Sequence, residues 1–153
     1  MVYFCDQIKN TIAWSALTLS RKTLMPLNKL HVPCDLPVET CIQVNTLLHA
    51  ALVQHFAVNP EDDFCIVMRY AREDMMLHPT FLGPRDPEAS IIIDITLMAG
   101  RTDARKEAFY SELRYKLQKI GFPPDNAIVF LTENNPIDWS FSRGGSVKKV
   151  LAL

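Results

Sequence analysis

The chain of 153 residues has few glycines, almost no net charge and no long apolar run. Its 5 glycines exclude a collagen-like chain, and an apolar content of 48% excludes a disordered one. A formal net charge of −1 gives no general attraction to nucleic acid or anionic lipid. No apolar stretch reaches the ~18–20 residues that span a bilayer. We therefore expect a globular domain that binds neither nucleic acid nor membranes.

Patterns typical of metal, disulfide and cofactor chemistry are also missing. The 4 cysteines form no CxxC pair, and no histidine stands at zinc-finger spacing. His49 and His55, on the first predicted helix, point to different faces. The chain has no Gly-rich phosphate loop and no GxSxG elbow. We expect no cofactor, no metal site and no disulfide framework, and this cysteine usage favours the reducing cytoplasm.

The first 24 residues differ from the rest of the chain. A short apolar stretch, residues 12–19, is preceded by Asp6 and followed by Arg21 and Lys22. That order is the reverse of a secretory signal peptide, which carries its cations before the apolar core. Two interpretations stay open: an added N-terminal helix docked on the domain, or upstream sequence absent from a mature protein whose translation starts at Met25. In both, residues 1–24 are an extension and residues 25–153 are the domain.

From Leu27 onward the pattern of one unit occurs twice. Each copy is a short apolar strand, an amphipathic helix and a second strand. The second copy is displaced by about 64 positions. The predicted elements are strand 27–31, helix 38–56, strand 64–68, strand 91–97, helix 102–120 and strand 127–131. Thr102 is the expected N-cap of the second helix.

Each strand-helix-strand unit predicts two parallel strands joined by a right-handed crossover. Two units predict an α/β fold, a four-stranded sheet with both helices on one face. The other face is left uncovered, and alternate strand residues on it are apolar. We expect this face to be buried against sister subunits rather than exposed in a monomer.

Five short motifs resemble the tautomerase superfamily in its 4-oxalocrotonate tautomerase-like, fused-repeat branch, which includes malonate semialdehyde decarboxylase. The resemblance runs from Met25 to about Ser146. The motifs are Met25-Pro26-Leu27, the run 59–64 (NPEDDF), Phe81-Leu82-Gly83, the run 99–102 (AGRT) and the run 138–141 (DWSF). The resemblance implies a homotrimer of chains that each contain a pair of β-α-β units. It also implies an isomerase, namely a keto-enol tautomerase of small 2-oxo or 2-hydroxy-dienoate carboxylic acids.

The resemblance implies that Pro26 is the catalytic general acid and base, exposed as the first residue when the initiator Met is removed. A free α-amino group titrates near ~7.7–8.0, and burial or nearby cations bring that pKa toward neutrality. If Pro26 stayed joined to Met25, its nitrogen would be a tertiary amide without a basic lone pair. A non-catalytic ligand-binding or assembly protein, with Pro26 blocked by residues 1–24, is therefore one alternative.

Arg101 is the second expected catalytic residue. It directly precedes a helix start, where a guanidinium and free N–H groups suit a carboxylate or an enolate oxygen. The decarboxylase relatives carry two arginines in this loop, whereas here the first of those positions is Ala99. That difference favours simple tautomerisation and leaves a decarboxylase or hydratase as the other alternative.

Four further site residues follow from the resemblance. Asp62 matches a carboxylate that orients water or contacts the proline, although its place in a three-acid run is also typical of a solvated turn. Trp139 and Phe141 match an aromatic segment that lines the pocket, and a buried anchor is the alternative. Arg143 is a candidate second cation, or else faces solvent.

Overall fold

The computed structural model describes residues 26–141 and 144–152. Four main strands form a mixed sheet in the order β2-β1-β3-β4, with β1 parallel to β2, β3 parallel to β4, and β1 antiparallel to β3. The elements are β1 (Leu27–Pro33), α1 (Val38–Phe56), β2 (Cys65–Tyr70), β3 (Ile91–Met98), α2 (Asp103–Lys119), β4 (Ala127–Asn134), β5 (Ser140–Phe141), β6 (Gly145–Ser146) and α3 (Val147–Val150). The predicted α/β fold is confirmed. The extension 1–24 lies outside the described residues.

The internal repeat is visible in the packing of the two long helices. Three buried residues of α1 have counterparts 65 positions later on α2: Val44 and Phe109, Leu48 and Leu113, Leu52 and Leu117. The helices contact each other through Phe56 and Phe109, whose ring centroids are 4.8 Å apart. The displacement read from the sequence, about 64, is therefore nearly right for the helices.

The helix ends agree with local chemistry. Thr102 precedes α2, and its hydroxyl oxygen accepts the Arg105 N–H, so the predicted N-cap is confirmed. The first helix, α1, ends at Phe56, and the next residue, Ala57, adopts the left-handed conformation with φ of +55°. This residue turns the chain toward β2.

The core lies between the sheet and the two helices. Alternate residues of β1 and β3 point into it and are almost completely buried, namely Leu30, Val32, Ile91, Ile93, Ile95 and Leu97. The opposite, helix-free face is mixed rather than apolar throughout. At its centre Lys29 Nζ donates to Asp94 at 3.1 Å, flanked by exposed Ile66, Met68 and Phe130.

The C-terminal segment adds a hairpin that the sequence did not predict, because β5 and β6 have two residues each and no periodicity to detect. It is attached to the domain where the Val147 N–H donates to the Trp139 carbonyl at 2.8 Å. In the part of the chain that the structure describes, no helix combines the length and hydropathy needed to cross a bilayer.

Candidate functional site

Four residues singled out from the sequence lie at one end of the sheet. Pro26 directly precedes β1, and Asp62 comes shortly before β2, which runs parallel to β1. Arg101 follows β3, whose last residues lie beside the start of β1 because these strands are antiparallel. Trp139 comes shortly after β4, which is parallel to β3. The topology therefore gathers residues from four loops around the start of β1.

Pro26 is buried on the side of β1 that faces the helices. The register with β2 places Pro26 level with Asp63, and the register with β3 places it level with Leu97. An amine here would have an apolar neighbour on one strand and an acidic loop on the other. Burial lowers the pKa of an amine and a nearby carboxylate raises it.

The acidic loop is held against α1 by polar contacts of Asp63. Asn45 Nδ2 donates to both carboxylate oxygens of Asp63, at 3.1 and 3.0 Å. His49 Nε2 donates to the Pro60 carbonyl oxygen at 2.9 Å, and its Nδ1 lies 3.9 Å from Asp63 Oδ1. These contacts fix the position of the neighbouring Asp62.

Asp62 is half-buried in this loop. Burial raises the pKa of Asp62, Glu61 adds to the rise, and His49 opposes it. A solvated turn, the alternative interpretation of the three-acid run, would not raise the pKa through burial. A carboxyl group with a raised pKa near a buried proline is suited to carrying a proton or orienting water.

Arg101 is half-buried between β3 and α2. Its Nη1 donates to the Met98 carbonyl, and its guanidinium carbon lies 5.8 Å from the centre of the Phe56 ring. Burial lowers the pKa of Arg101, although an arginine remains charged at ordinary pH. Its Nη2 is buried and has no hydrogen-bond partner among the described residues. A desolvated cation with an unused donor is suited to an anionic oxygen.

Glu133, near the end of β4, lies beside the loop that carries Gly100 and Arg101 from β3 into α2. Lys106 Nζ donates to its carboxylate at 2.9 Å, and the backbone N–H groups of Gly100 and Arg101 are near enough to help lower its pKa. The hydrogen bond from Lys106 is the main cause that lowers the pKa of Glu133. In this loop the Arg101 side chain offers a ligand a buried donor without a partner among the described residues.

Trp139 and Phe141 stack on each other, with ring centroids 6.1 Å apart and planes 19° apart. The Trp139 Nε1 donates to the Asn134 side-chain oxygen at the end of β4. This bond makes Trp139 an anchor of the C-terminal hairpin. Phe141 is 42% exposed, which leaves its ring accessible to a ligand. Arg143 lies outside the described residues, so its proposed role stays a prediction.

The opposite end of the sheet is filled by the loop that joins β2 to β3. Asn126, the counterpart of Asp62 after 64 positions, is buried, and its Oδ1 accepts the Asp86 N–H at 3.0 Å. Ser90 Oγ donates to the Asp86 carbonyl at 2.6 Å. The residues that correspond to the acidic loop therefore hold the β2–β3 loop in place at this end of the sheet. The candidate site lies at the other end, beside Pro26.

Two residues at the site were missed by sequence reasoning. Asn28 is a buried polar residue at an inward position of β1, and the alternation with Leu30 and Val32 could have indicated it. Glu133 could not have been found in this way, because its contact with Lys106 joins β4 to α2 across 27 positions.

Metal-ligating side chains are dispersed in the described part of the chain, where no group of three or more His, Cys, Asp or Glu residues could hold an ion. Cys34, Cys41 and Cys65 are free thiols. Burial raises the pKa of Cys65 to about 11, so this thiol is protonated near neutral pH.

The chain is thus a fused pair of β-α-β units, with a buried proline, a half-buried acid and a half-buried arginine at one end of its sheet. A family model described as "Tautomerase enzyme" matches residues 62–142, more than half of the chain. The chain therefore belongs to this tautomerase family. The resemblance seen in the sequence is confirmed, and membership supports a tautomerase-type function.

Three known proteins are similar to this chain in sequence or in fold. The chain is 29% identical over 97 residues to the probable tautomerase YrdN of Bacillus subtilis strain 168, which covers 63% of this chain and 74% of that protein. It is 29% identical to FG41 malonate semialdehyde decarboxylase inhibited by 3-bromopropiolate, with a TM-score of 0.73 over 82% of this chain and 95% of the other. A fused 4-OT, a symmetric trimer, shares the fold at 21% identity, with a TM-score of 0.65 and coverage of 81% and 98%.

Proposed function

We propose that this protein is a keto-enol tautomerase of small 2-oxo or 2-hydroxy-dienoate carboxylic acids, with Pro26 as general acid and base. The observation that supports this most strongly is the buried Pro26 at the same end of the sheet as Arg101, whose buried Nη2 donor is unused by the described residues. Family membership supports the reaction class.

In the proposed reaction, Arg101 binds the substrate carboxylate and the oxyanion that develops at the neighbouring carbonyl. The Pro26 nitrogen removes a proton from the carbon beside the carbonyl. The resulting dienolate spreads its charge along the conjugated system, and the protonated Pro26 returns the proton at a different atom. The proton is conserved, and neither an oxidant nor a cofactor is needed.

The mechanism requires Pro26 to be the first residue, because only then is its nitrogen an amine. We therefore propose that the working domain begins at Pro26, in the reducing cytoplasm. If residues 1–24 stay attached, the protein is a ligand-binding or assembly member of the family without this base. The intact mass of the protein from its native host distinguishes the two.

Turnover of phenylenolpyruvate by a protein that begins at Pro26 tests the proposal. Pro26→Ala keeps a terminal amine but loses the ring that fixes its position, so we expect kcat/KM to fall by about a hundred-fold. Pro84→Ala, in the exposed loop between β2 and β3, is the matched control and should leave turnover unchanged. Unchanged turnover in Pro26→Ala would contradict the mechanism.

A decarboxylase or hydratase is the second candidate. Two observations favour it: the raised pKa of Asp62, and a TM-score of 0.73 to malonate semialdehyde decarboxylases against 0.65 to a fused 4-OT. A second cation is also at hand, since Arg105 is close enough to help lower the pKa of Arg101.

We also propose a homotrimer, since the helix-free face of the sheet exposes Ile66, Met68 and Phe130. Covering these side chains with sister subunits would remove apolar surface from water. The fused 4-OT of the same fold is a trimer. Sedimentation equilibrium of the protein that begins at Pro26 should give three times the chain mass, and a monomer mass would exclude this assembly.

A further inference from the structure

Asn28 is completely buried, yet its side chain is unused by the surrounding protein. Its backbone N–H donates to the Phe64 carbonyl at 2.9 Å as part of the β1–β2 pairing. Its side-chain Nδ2 and Oδ1, in contrast, have no hydrogen-bond partner among the described residues. A buried amide without partners destabilises a fold, so such a residue requires an explanation.

The fold itself does not require a polar residue at this place. Asn28 points to the same side of β1 as Leu30 and Val32, into the core. Its counterpart 65 positions later is Ile93, which is also completely buried and apolar. An apolar side chain therefore fills the equivalent place in the second repeat.

Asn28 lies beside the proposed base. Pro26 and Asn28 are two positions apart on the same face of one strand, a separation of about 7 Å. Arg101, at the same end of the sheet, carries another buried donor without a partner among the described residues, Nη2. Two buried side chains with unused hydrogen-bonding atoms thus flank the start of β1.

We propose that Asn28 is a substrate-binding residue that holds the oxygen on C2 of a 2-oxo acid together with Arg101, which also binds the carboxylate. This inference rests on the proposed function for its substrate class. The Nδ2 group of Asn28 donates to the ketone or the enolate oxygen, and Oδ1 accepts from the hydroxyl group of the enol. One amide can therefore serve both tautomers, which neither Leu nor Asp can do.

Calorimetric binding of benzoylformate, a 2-oxo acid that cannot enolise because the carbon beside its ketone carries no hydrogen, tests this assignment in the protein that begins at Pro26. Loss of a hydrogen bond to a charged or carbonyl oxygen predicts that Asn28→Leu and Asn28→Asp bind about ten- to a hundred-fold more weakly. Asn28→Leu should melt at the same temperature as the wild type or higher, because it removes an unpartnered amide. Leu30→Met, one step further along the same face, is the control and should bind normally.

Binding by Asn28→Leu equal to that of the wild type would overturn the assignment, and so would a wild type that does not bind benzoylformate. Because the probe does not react, the result is independent of proton transfer by Pro26. If Pro26→Ala keeps full turnover while Asn28→Leu loses binding, the proposed base is wrong and the Asn28 subsite stands. In phenylenolpyruvate kinetics Asn28→Leu should raise KM, whereas Pro26→Ala should lower kcat.

Discussion

The guanidinium of Arg101 lies over the ring of Phe56, the last residue of α1, at 5.8 Å from the ring centre. Phe56 belongs to the first repeat and Arg101 to the second. Phe56 also packs against Phe109 of α2, with centroids 4.8 Å apart. The position of the proposed anion-binding side chain therefore depends on the contact between the two repeats.

Phe56→Leu should separate this supporting role from general packing. Phe56 and Phe109 are equally buried, so replacing either with Leu should cost about 1–2 kcal/mol of unfolding free energy. Only Phe56→Leu also removes the ring beneath Arg101. Urea unfolding should give similar losses for the two variants, while KM for phenylenolpyruvate rises in Phe56→Leu alone. Equal KM values would show that the ring does not position Arg101.

Arg101→Lys should be almost as damaging as Arg101→Ala. Lysine keeps the charge but has no planar fork that could bond Met98 and a ligand at once. We expect kcat/KM to fall by about a hundred-fold in both variants, as for loss of an oxyanion donor. Arg114→Ala removes another arginine of the second repeat, one paired with Asp125 at 2.7 Å. Its kcat/KM should match that of the wild type, and an Arg101→Lys variant with full activity would contradict the assigned role.

Glu133→Gln should change how stability depends on pH. The hydrogen bond from Lys106 holds the pKa of Glu133 below its ordinary value of 4.5. The unfolded chain therefore binds the proton more readily, so the stabilisation is present above pH 4.5 and is lost as the pH falls through the lowered folded pKa. The difference in melting temperature between wild type and Glu133→Gln should shrink as the pH is lowered from about 7 to about 3.

A second measurement on Glu133→Gln is its KM for phenylenolpyruvate, with Glu112→Gln as the matched control. Glu112 pairs with Lys116 at 3.1 Å along α2 and lies away from the loop of Arg101. The Glu112→Gln variant should change KM for phenylenolpyruvate by less than about twofold, since ion pairs four residues apart on a helix contribute only a few tenths of a kcal/mol to stability. Glu133→Gln should raise KM by more than that. If both variants behave alike, Glu133 does not hold the Arg101 loop in place.

Asp62→Asn tests the decarboxylase or hydratase candidate. If that candidate holds, the wild type releases carbon dioxide from malonate semialdehyde, and Asp62→Asn slows the release by about a hundred-fold. Phenylenolpyruvate turnover should change little, because Pro26 carries the proton in tautomerisation. Glu39→Gln, at an exposed position in the first turn of α1, is the control. No carbon dioxide from the wild type would exclude the decarboxylase.

The raised pKa of Asp62 also predicts the sign of a stability change. A carboxyl group whose folded pKa lies above its ordinary value of 3.8 binds a proton more tightly in the folded state. Stability therefore falls as the pH rises through the interval between 3.8 and the raised value. Asp62→Asn should lack this fall, and melting curves at several pH values would show it.

Much of the fold could be predicted because its main elements follow local rules. The β-branched run of Ile91–Met98 and the three- and four-residue spacing of Val44, Leu48 and Leu52 specify a strand and a helix by themselves. The predicted ends of these elements were less accurate than their positions, since β4 was predicted to end at residue 131 and continues to Asn134. Its last residues are polar and are held by pairing with β3, which no local pattern shows.

The candidate site, like the fold, could be predicted only in part from the sequence. The motifs indicated Pro26, Asp62, Arg101 and Trp139, and the topology brings these residues to one end of the sheet. Sequence reasoning could not show that Glu133 lies beside the loop of Gly100 and Arg101, nor that the Arg101 side chain lies over the Phe56 ring. Both contacts join elements from different parts of the chain, so they depend on tertiary packing.

The central claim is that Pro26 acts as a base only when its nitrogen is a free amine. The most direct measurement compares phenylenolpyruvate turnover by a protein that begins at Pro26 with turnover by the same protein that retains residues 1–25. The first should be active, and the second should lack activity because its Pro26 nitrogen is an amide. Equal turnover by two chains with verified intact masses would contradict the account.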